Sequence, residues 1–148
     1  MHFCFQEMKM LNDIHELKKN DGLMHNNMHN CDFSLMINGD YLGIDVNSLN
    51  RRLYGISGYV NLEKLKKEHV SIPNKKKQGA IYVNNCDLIP GTAKDYWLPP
   101  KVKYDVNINC ICLGDDTHIA ETIEISKGVL VNIYEGQIVA IFIMPRQV

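Results

Sequence analysis

Residues 128–145 read Gly-Val-Leu-Val-Asn-Ile-Tyr-Glu-Gly-Gln-Ile-Val-Ala-Ile-Phe-Ile-Met-Pro, the stretch on which the fold class turns. Val129 to Tyr134 and Gln137 to Met144 are apolar, β-forming runs too short for ordinary helices, and Glu135-Gly136 between them is a turn signal. Ile138 to Ile143 is apolar at every position, the pattern of a strand buried on both faces. Upstream, Ala120 to Ile125 reads as another strand, bounded by Gly114-Asp115-Asp116 and Lys127-Gly128. Val102, Tyr104, Val106, Ile108, Cys110 and Cys112 alternate with Lys103, Asp105, Asn107 and Asn109, as in one strand with a wet face. The segment from Val102 to Met144 is therefore expected to be a meander of three or four strands.

The first half adds further sheet. Phe33, Leu35 and Ile37 alternate with Ser34 and Met36 and end at Asn38-Gly39, a strong hairpin signal because both turn positions need φ > 0. Two glycines in Leu53 to Val60 suggest a short or bulged strand, and Ala80 to Val83 a further one. Met8, Leu11, Ile14 and Leu17 recur at helical spacing between Glu7 and Asn20, with Lys18, Lys19 and Gly22 at the end, which predicts one amphipathic helix. Asn61 predicts the cap of a short helix ending near His69. The expected class is α+β: a mainly antiparallel, curved sheet covered by an N-terminal helix, with one short helix besides, in a single domain over residues 1–148.

Length and composition suit that expectation. A chain of 148 residues with 45% hydrophobic and 22% charged residues can close one core. No secretory leader pattern opens the sequence, and no apolar run nears the ~20 residues of a spanning helix, so the expected location is the cytoplasm with no membrane association. Five cysteines without a framework pattern read as reduced thiols, mostly packed in the core.

Chemistry is sparse. His25, His29 and Cys31 are the nearest approach to a metal site, but no Glu follows His25 and no second ligand pair stands at finger spacing, so no metal and no cofactor are expected. None of the motifs for nucleophilic, phosphate-loop or zinc-hydrolase chemistry is present, and His2, His15, His69 and His118 stand isolated. The net charge of -1 hides a contrast, for Arg51 to Gln78 holds Arg51, Arg52, Lys64, Lys66, Lys67, Lys75, Lys76 and Lys77 against Glu63 and Glu68. With Tyr54 and Tyr59 nearby, this stretch supports an alternative reading as a nucleic-acid-binding module, and a solvated basic face is the plainer one. Asp95-Tyr96-Trp97 lies in the turn-rich segment 84–100 and contains the only Trp, which suits either a protein-binding anchor or a plug at the end of the core.

Gly39 to Leu62 and Ile125 to Pro145, with Asp87 to Trp97 between them, give the chain its overall texture. In this it resembles the immunity proteins of bacterial toxin systems, including contact-dependent growth inhibition. The resemblance implies a non-catalytic domain that binds and neutralises a cognate toxin, often a nuclease, by covering its working surface. It would place partner contacts on acidic and aromatic loop residues, for which Asp95, Tyr96, Trp97, Asp115 and Asp116 are the candidates. Many such inhibitors are strongly acidic, and this chain departs from them by being near neutral.

Overall fold

The computed structural model describes residues 1–9, 18–20, 22–25, 30–117 and 120–147. Within them the chain is almost all sheet, curled into a half-barrel. The strands in the first half are β1 (His2–Glu7), β2 (Lys18–Asn20), β3 (Leu23–His25), β4 (Phe33–Ile37), β5 (Leu42–Val46), β6 (Arg52–Tyr59) and β7 (Lys66–Lys67). Those that follow are β8 (Lys77–Asn84), β9 (Thr92–Tyr96), β10 (Val102–Asp105), β11 (Cys110–Gly114), β12 (Glu121–Ser126), β13 (Val129–Tyr134), β14 (Gln137–Ile143) and β15 (Arg146–Gln147).

One layer runs β9-β4-β5-β6-β8-β1, and the other β12-β13-β14-β11-β10-β7. Strand β8 joins them, because its Lys77 and Gln78 pair in parallel with Ile123 and Glu124 of β12. Between the layers lies one apolar core, built on one side from Phe3, Leu35, Ile44, Leu53, Ile56 and Ile81, and on the other from Ile111, Ile123, Val131 and Ile141. The Asn38-Gly39 turn forms as its sequence requires, with φ of 53° and 66°, and connects β4 to β5 as an antiparallel hairpin.

The expectation of an α+β fold with an N-terminal helix is overturned. Glu7 closes β1, and Lys18–Asn20 forms β2; the middle of the predicted helix, residues 10–17, lies outside the described residues. The alternation of Phe3 and Phe5 is the competing signal. It lets β1 pair with all of β8, from His2 opposite Asn84 to Glu7 opposite Gly79, and buries Phe3 completely. The second predicted helix is a single 3-10 turn, Leu62–Lys64. Asn61 does cap it, its side chain accepting from Glu63 N at 3.2 Å, but Leu65 is extended and β7 follows at once.

The C-terminal half also departs from a plain meander. Strands β12, β13 and β14 are successive hairpins, but β11 lies beside β14 rather than β12, which makes a Greek key. The long strand expected from Val102 to Cys112 is a hairpin instead. Asp105 Oδ1 accepts from Asn107 N at 3.0 Å, Asn109 takes φ 49°, and Val106 and Ile108 stand exposed on the turn.

The reading of β14 as a central strand holds, since it is paired on both edges and buried on both faces. Ile141 and Ile143 face the main core, while Ala140 and Phe142 join Cys110, Cys112 and Leu130 in a second cluster beneath Val70 and Ile72. Two carboxylates tie that covering segment down. Asp105 Oδ2 accepts from Val70 N at 3.1 Å, and Asp116 accepts from Ser71 N at 3.4 Å and from Lys103 Nζ at 3.0 Å.

The segment 84–100 contains β9, which pairs in parallel with β4 at the sheet edge. Its last residue, Tyr96, points inward at 8% exposure and meets Phe3 edge-on, with ring centroids 5.2 Å apart. The Tyr96 hydroxyl accepts from Ile138 N at 2.9 Å and lies 3.1 Å from both Ile138 O and Gln137 Oε1, so it links the edge of one layer to the start of β14 in the other.

Two measurements test this account. Tyr96→Phe leaves the Ile138 N–H buried without an acceptor and should cost about 1–3 kcal/mol, read as a lower denaturant midpoint at unchanged m. Asp105 is held below the usual carboxylate range, chiefly by the Val70 N–H, with the Asn107 N–H and His69 adding to the effect. Its contribution is present above the unfolded carboxylate value of about 4 and is lost as pH falls through the depressed folded one. Asp105→Asn should therefore be less stable than the parent at pH 7, and the gap should close on acidification.

Candidate functional site

The turn between β4 and β5 and the end of β6 meet at one mouth of the half-barrel. Ile37, Leu42, Val60, Leu65, Val102, Ile111 and Leu113 line an apolar groove there of about 340 Å³, at a point where the two layers part. Its polar edge is formed by Asn38, Asp40, Asn61 and Lys64. Each lining side chain is placed by strand alternation: Leu42 opens β5, Ile111 and Leu113 sit on the inward face of β11, and Val102 opens β10 opposite Leu113.

Two exposed aromatic rings, Tyr41 and Tyr59, line this groove, and a third, Trp97, stands next to its edge. Tyr41 is 78% exposed, Tyr59 52% and Trp97 68%. Tyr41, just before β5, and Tyr59, at the end of β6, are brought together by Gly58, whose φ of 141° and lack of a side chain let the Tyr41 carbonyl press against it. Tyr59 N then donates to Tyr41 O at 3.4 Å. The Trp97 indole lies against Gly39, and the adjoining backbone is pinned where Leu98 N donates to Asn38 Oδ1 at 2.7 Å. Exposed rings on a hydrogen-bonded frame, beside an apolar recess, can bury area against a partner with little loss of side-chain freedom.

The five residues singled out from the sequence separate in space. Trp97 is exposed against Gly39, next to the groove but outside its lining, and Asp95 is exposed two residues before it on β9. Tyr96 is a core residue, its hydroxyl bonded inside the barrel. Asp116 is spent on Lys103 and Ser71, and Asp115 Oδ1 accepts from Thr117 N and Oγ1 at 3.0 and 2.6 Å. Tyr41, missed in the sequence, is the most exposed tyrosine of the rim. Its signal was an aromatic residue directly after a hairpin turn, where no strand neighbour covers it.

The basic stretch runs through β6, β7 and β8 and the segments between them. Arg51 Nε donates to Val83 O at 2.7 Å and its Nη2 to Cys86 O, and Arg52 is buried with its guanidinium 4.7 Å from the Tyr54 ring centroid. Lys67 donates to the carbonyls of Leu62 and Leu65, Lys66 faces Glu68, Lys76 bonds Glu124 at 2.9 Å, and Lys77 bonds Glu121 at 3.2 Å. Six of the eight cations thus have a partner within the fold, while the side chains of all six lysines remain exposed.

For metal chemistry, His29 lies outside the described residues, and among the described residues no group of three or more His, Cys, Asp or Glu could hold an ion. Burial and the nearby Asp45 and Asp32 push the Cys31 thiol up to about 12, so it is a poor thiolate donor. Cys110 and Cys112 are likewise raised to about 12, first by burial and then by neighbouring carboxylates. No helix among the described residues is long and apolar enough to cross a membrane. Comparison of the chain with protein-family models, with curated proteins and with solved structures gives no match.

The thiol environments predict an order of reactivity. In timed iodoacetamide labelling at pH 8, followed by peptide mass spectrometry, the exposed Cys4 should be alkylated well ahead of Cys31, Cys110 and Cys112.

Proposed function

We propose that this chain is a non-catalytic protein-binding domain, an immunity protein that acts in the cytoplasm by binding a cognate bacterial toxin and covering its working surface. The observation that carries the reading is an apolar groove lined by the exposed rings of Tyr41 and Tyr59, with exposed Trp97 next to it against Gly39. Isolated exposed apolar residues are ordinary on any protein, but three aromatic rings grouped beside a recess are not. The frame beneath them suits stoichiometric inhibition, which depends on surfaces already in place before the partner arrives. Asp95 and Asp40, exposed beside the rim, supply local acidic groups despite the near-neutral net charge. Tyr96, Asp115 and Asp116 act in this reading as internal supports rather than contacts.

The test is co-purification with the product of the adjacent gene and rescue of cells that express it. Trp97→Ala combined with Tyr41→Ala should weaken capture by at least about 30-fold, the scale of one lost hot spot, and should abolish rescue while leaving the melting temperature near the parent value. Turnover by the purified chain, or rescue that survives the double substitution, would reject the proposal.

A further inference from the structure

At the other end of β6 lies a second cavity, open and polar, of about 1090 Å³. Its floor is Arg51, and His2, Asn84, Asn85, Cys86, Asp87 and Lys94 rise around it. These residues come from four places in the chain: β1, the turn before β6, the end of β8 with the loop after it, and β9. None belongs to the aromatic groove, and the proposed partner binding does not use them.

The floor is unusually well defined. Arg51 holds φ at 67°, in the left-handed region that an arginine rarely occupies, and Asn85 beside it takes φ 58°. The Arg51 backbone is fixed on both sides, its N donating to Asn47 O at 2.8 Å and its O accepting from Val83 N at 3.0 Å. The guanidinium is fixed as well. Nε donates to Val83 O and Nη2 to Cys86 O, which leaves Nη1 with no protein partner among the described residues. An arginine held in strained backbone, with Nε and Nη2 anchored and lining an open cavity, is pre-organised for an oxyanion.

The walls suit the same ligand. Lys94 is exposed on β9 and has no partner among the described residues. The His2 imidazole is packed against Gly136, where a side chain would collide with it, so it is held at the cavity edge. Asn85 adds an amide. Against these stands one carboxylate, Asp87. No Phe, Tyr or Trp lines the space, so no large ring there would stack on a run of bases.

We infer that the Arg51 cavity is a binding site for a small phosphorylated ligand, with the phosphate held by Arg51 and Lys94 and flanked by His2 and Asn85. A free phosphate group and a mononucleotide share this chemistry, and the volume admits either. Binding is weakened by salt, because Lys94 is exposed to solvent.

Chemical-shift titration of ¹⁵N-labelled protein tests the site, with inorganic phosphate, adenosine monophosphate and a short single-stranded RNA as probes at matched ionic strength. Phosphate and the mononucleotide should give saturable shifts at the Arg51 Nε–H, His2 and Asn85. A tighter mononucleotide identifies the nucleotide as the source, and equal affinities identify the phosphate group alone. Lys94→Glu, on an exposed side chain that cannot unfold the core, should weaken both by about tenfold, and Asp87→Asn should tighten both. The inference is overturned if neither small probe saturates, if sodium chloride produces the same shifts, if Lys94→Glu leaves affinity unchanged, or if RNA alone binds.

Discussion

Strand β14 has no polar face to give to water, and most of the architecture answers that constraint. Ile141 and Ile143 look into the space between the layers, so a second layer must stand opposite, and β4, β5, β6 and β8 provide it. Ala140 and Phe142 look the other way, where no further sheet stands among the described residues. That side is closed by plain chain, Val70 to Ile72, whose backbone N–H groups would be left without acceptors against an apolar surface. Asp105 and Asp116 accept from two of them. Two acidic residues that look like turn formers in the sequence are thus what allows a loop to serve as one wall of a core.

The parts of the fold legible in sequence are those decided within a few residues. Asn38-Gly39, Lys127-Gly128 and Glu135-Gly136 each specify a turn by their own backbone preferences, and all three join consecutive antiparallel strands. The uninterrupted apolar run of β14 declares its central place for the same local reason. What was not legible depends on distant partners. Helical spacing at Met8, Leu11, Ile14 and Leu17 outweighed the two-residue alternation of Phe3 and Phe5, whose meaning rests on pairing with β8 some eighty residues on. The Greek-key step of β11 onto β14 carries no mark in either strand. The turn at Asn107 to Asn109 was legible in principle, but alternation that happened to run through it concealed it.

The candidate site divides along the same line. Trp97 could be singled out as a lone aromatic residue in an irregular segment, whereas its neighbour Tyr96 turns inward at the end of a strand whose other residues are all exposed, which no local pattern announces. Tyr41 and Tyr59 lie eighteen positions apart and become neighbours only through β5 and β6. The eight cations of the basic stretch look collective in sequence because they are close along the chain. In space they are separated by the course of β6, β7 and β8, and most meet an acceptor or a ring of the fold itself. Charge density along a chain is a guide to a surface only where the chain does not change layers.

The pairing of β1 with β8 sets a condition on how the molecule is made. His2 finds Asn84 only after β2 to β8 have been synthesised, and Arg146 finds Lys18 only when β15 is complete. Closing such long loops is entropically costly, and sheets dominated by distant pairings assemble slowly. During that interval β1 is an unpaired edge carrying Phe3 and Phe5, and β8 offers it a bare partner. The nascent chain is therefore most exposed to wrong association not at its apolar C-terminal strands, which fold on their neighbours, but at its very first one.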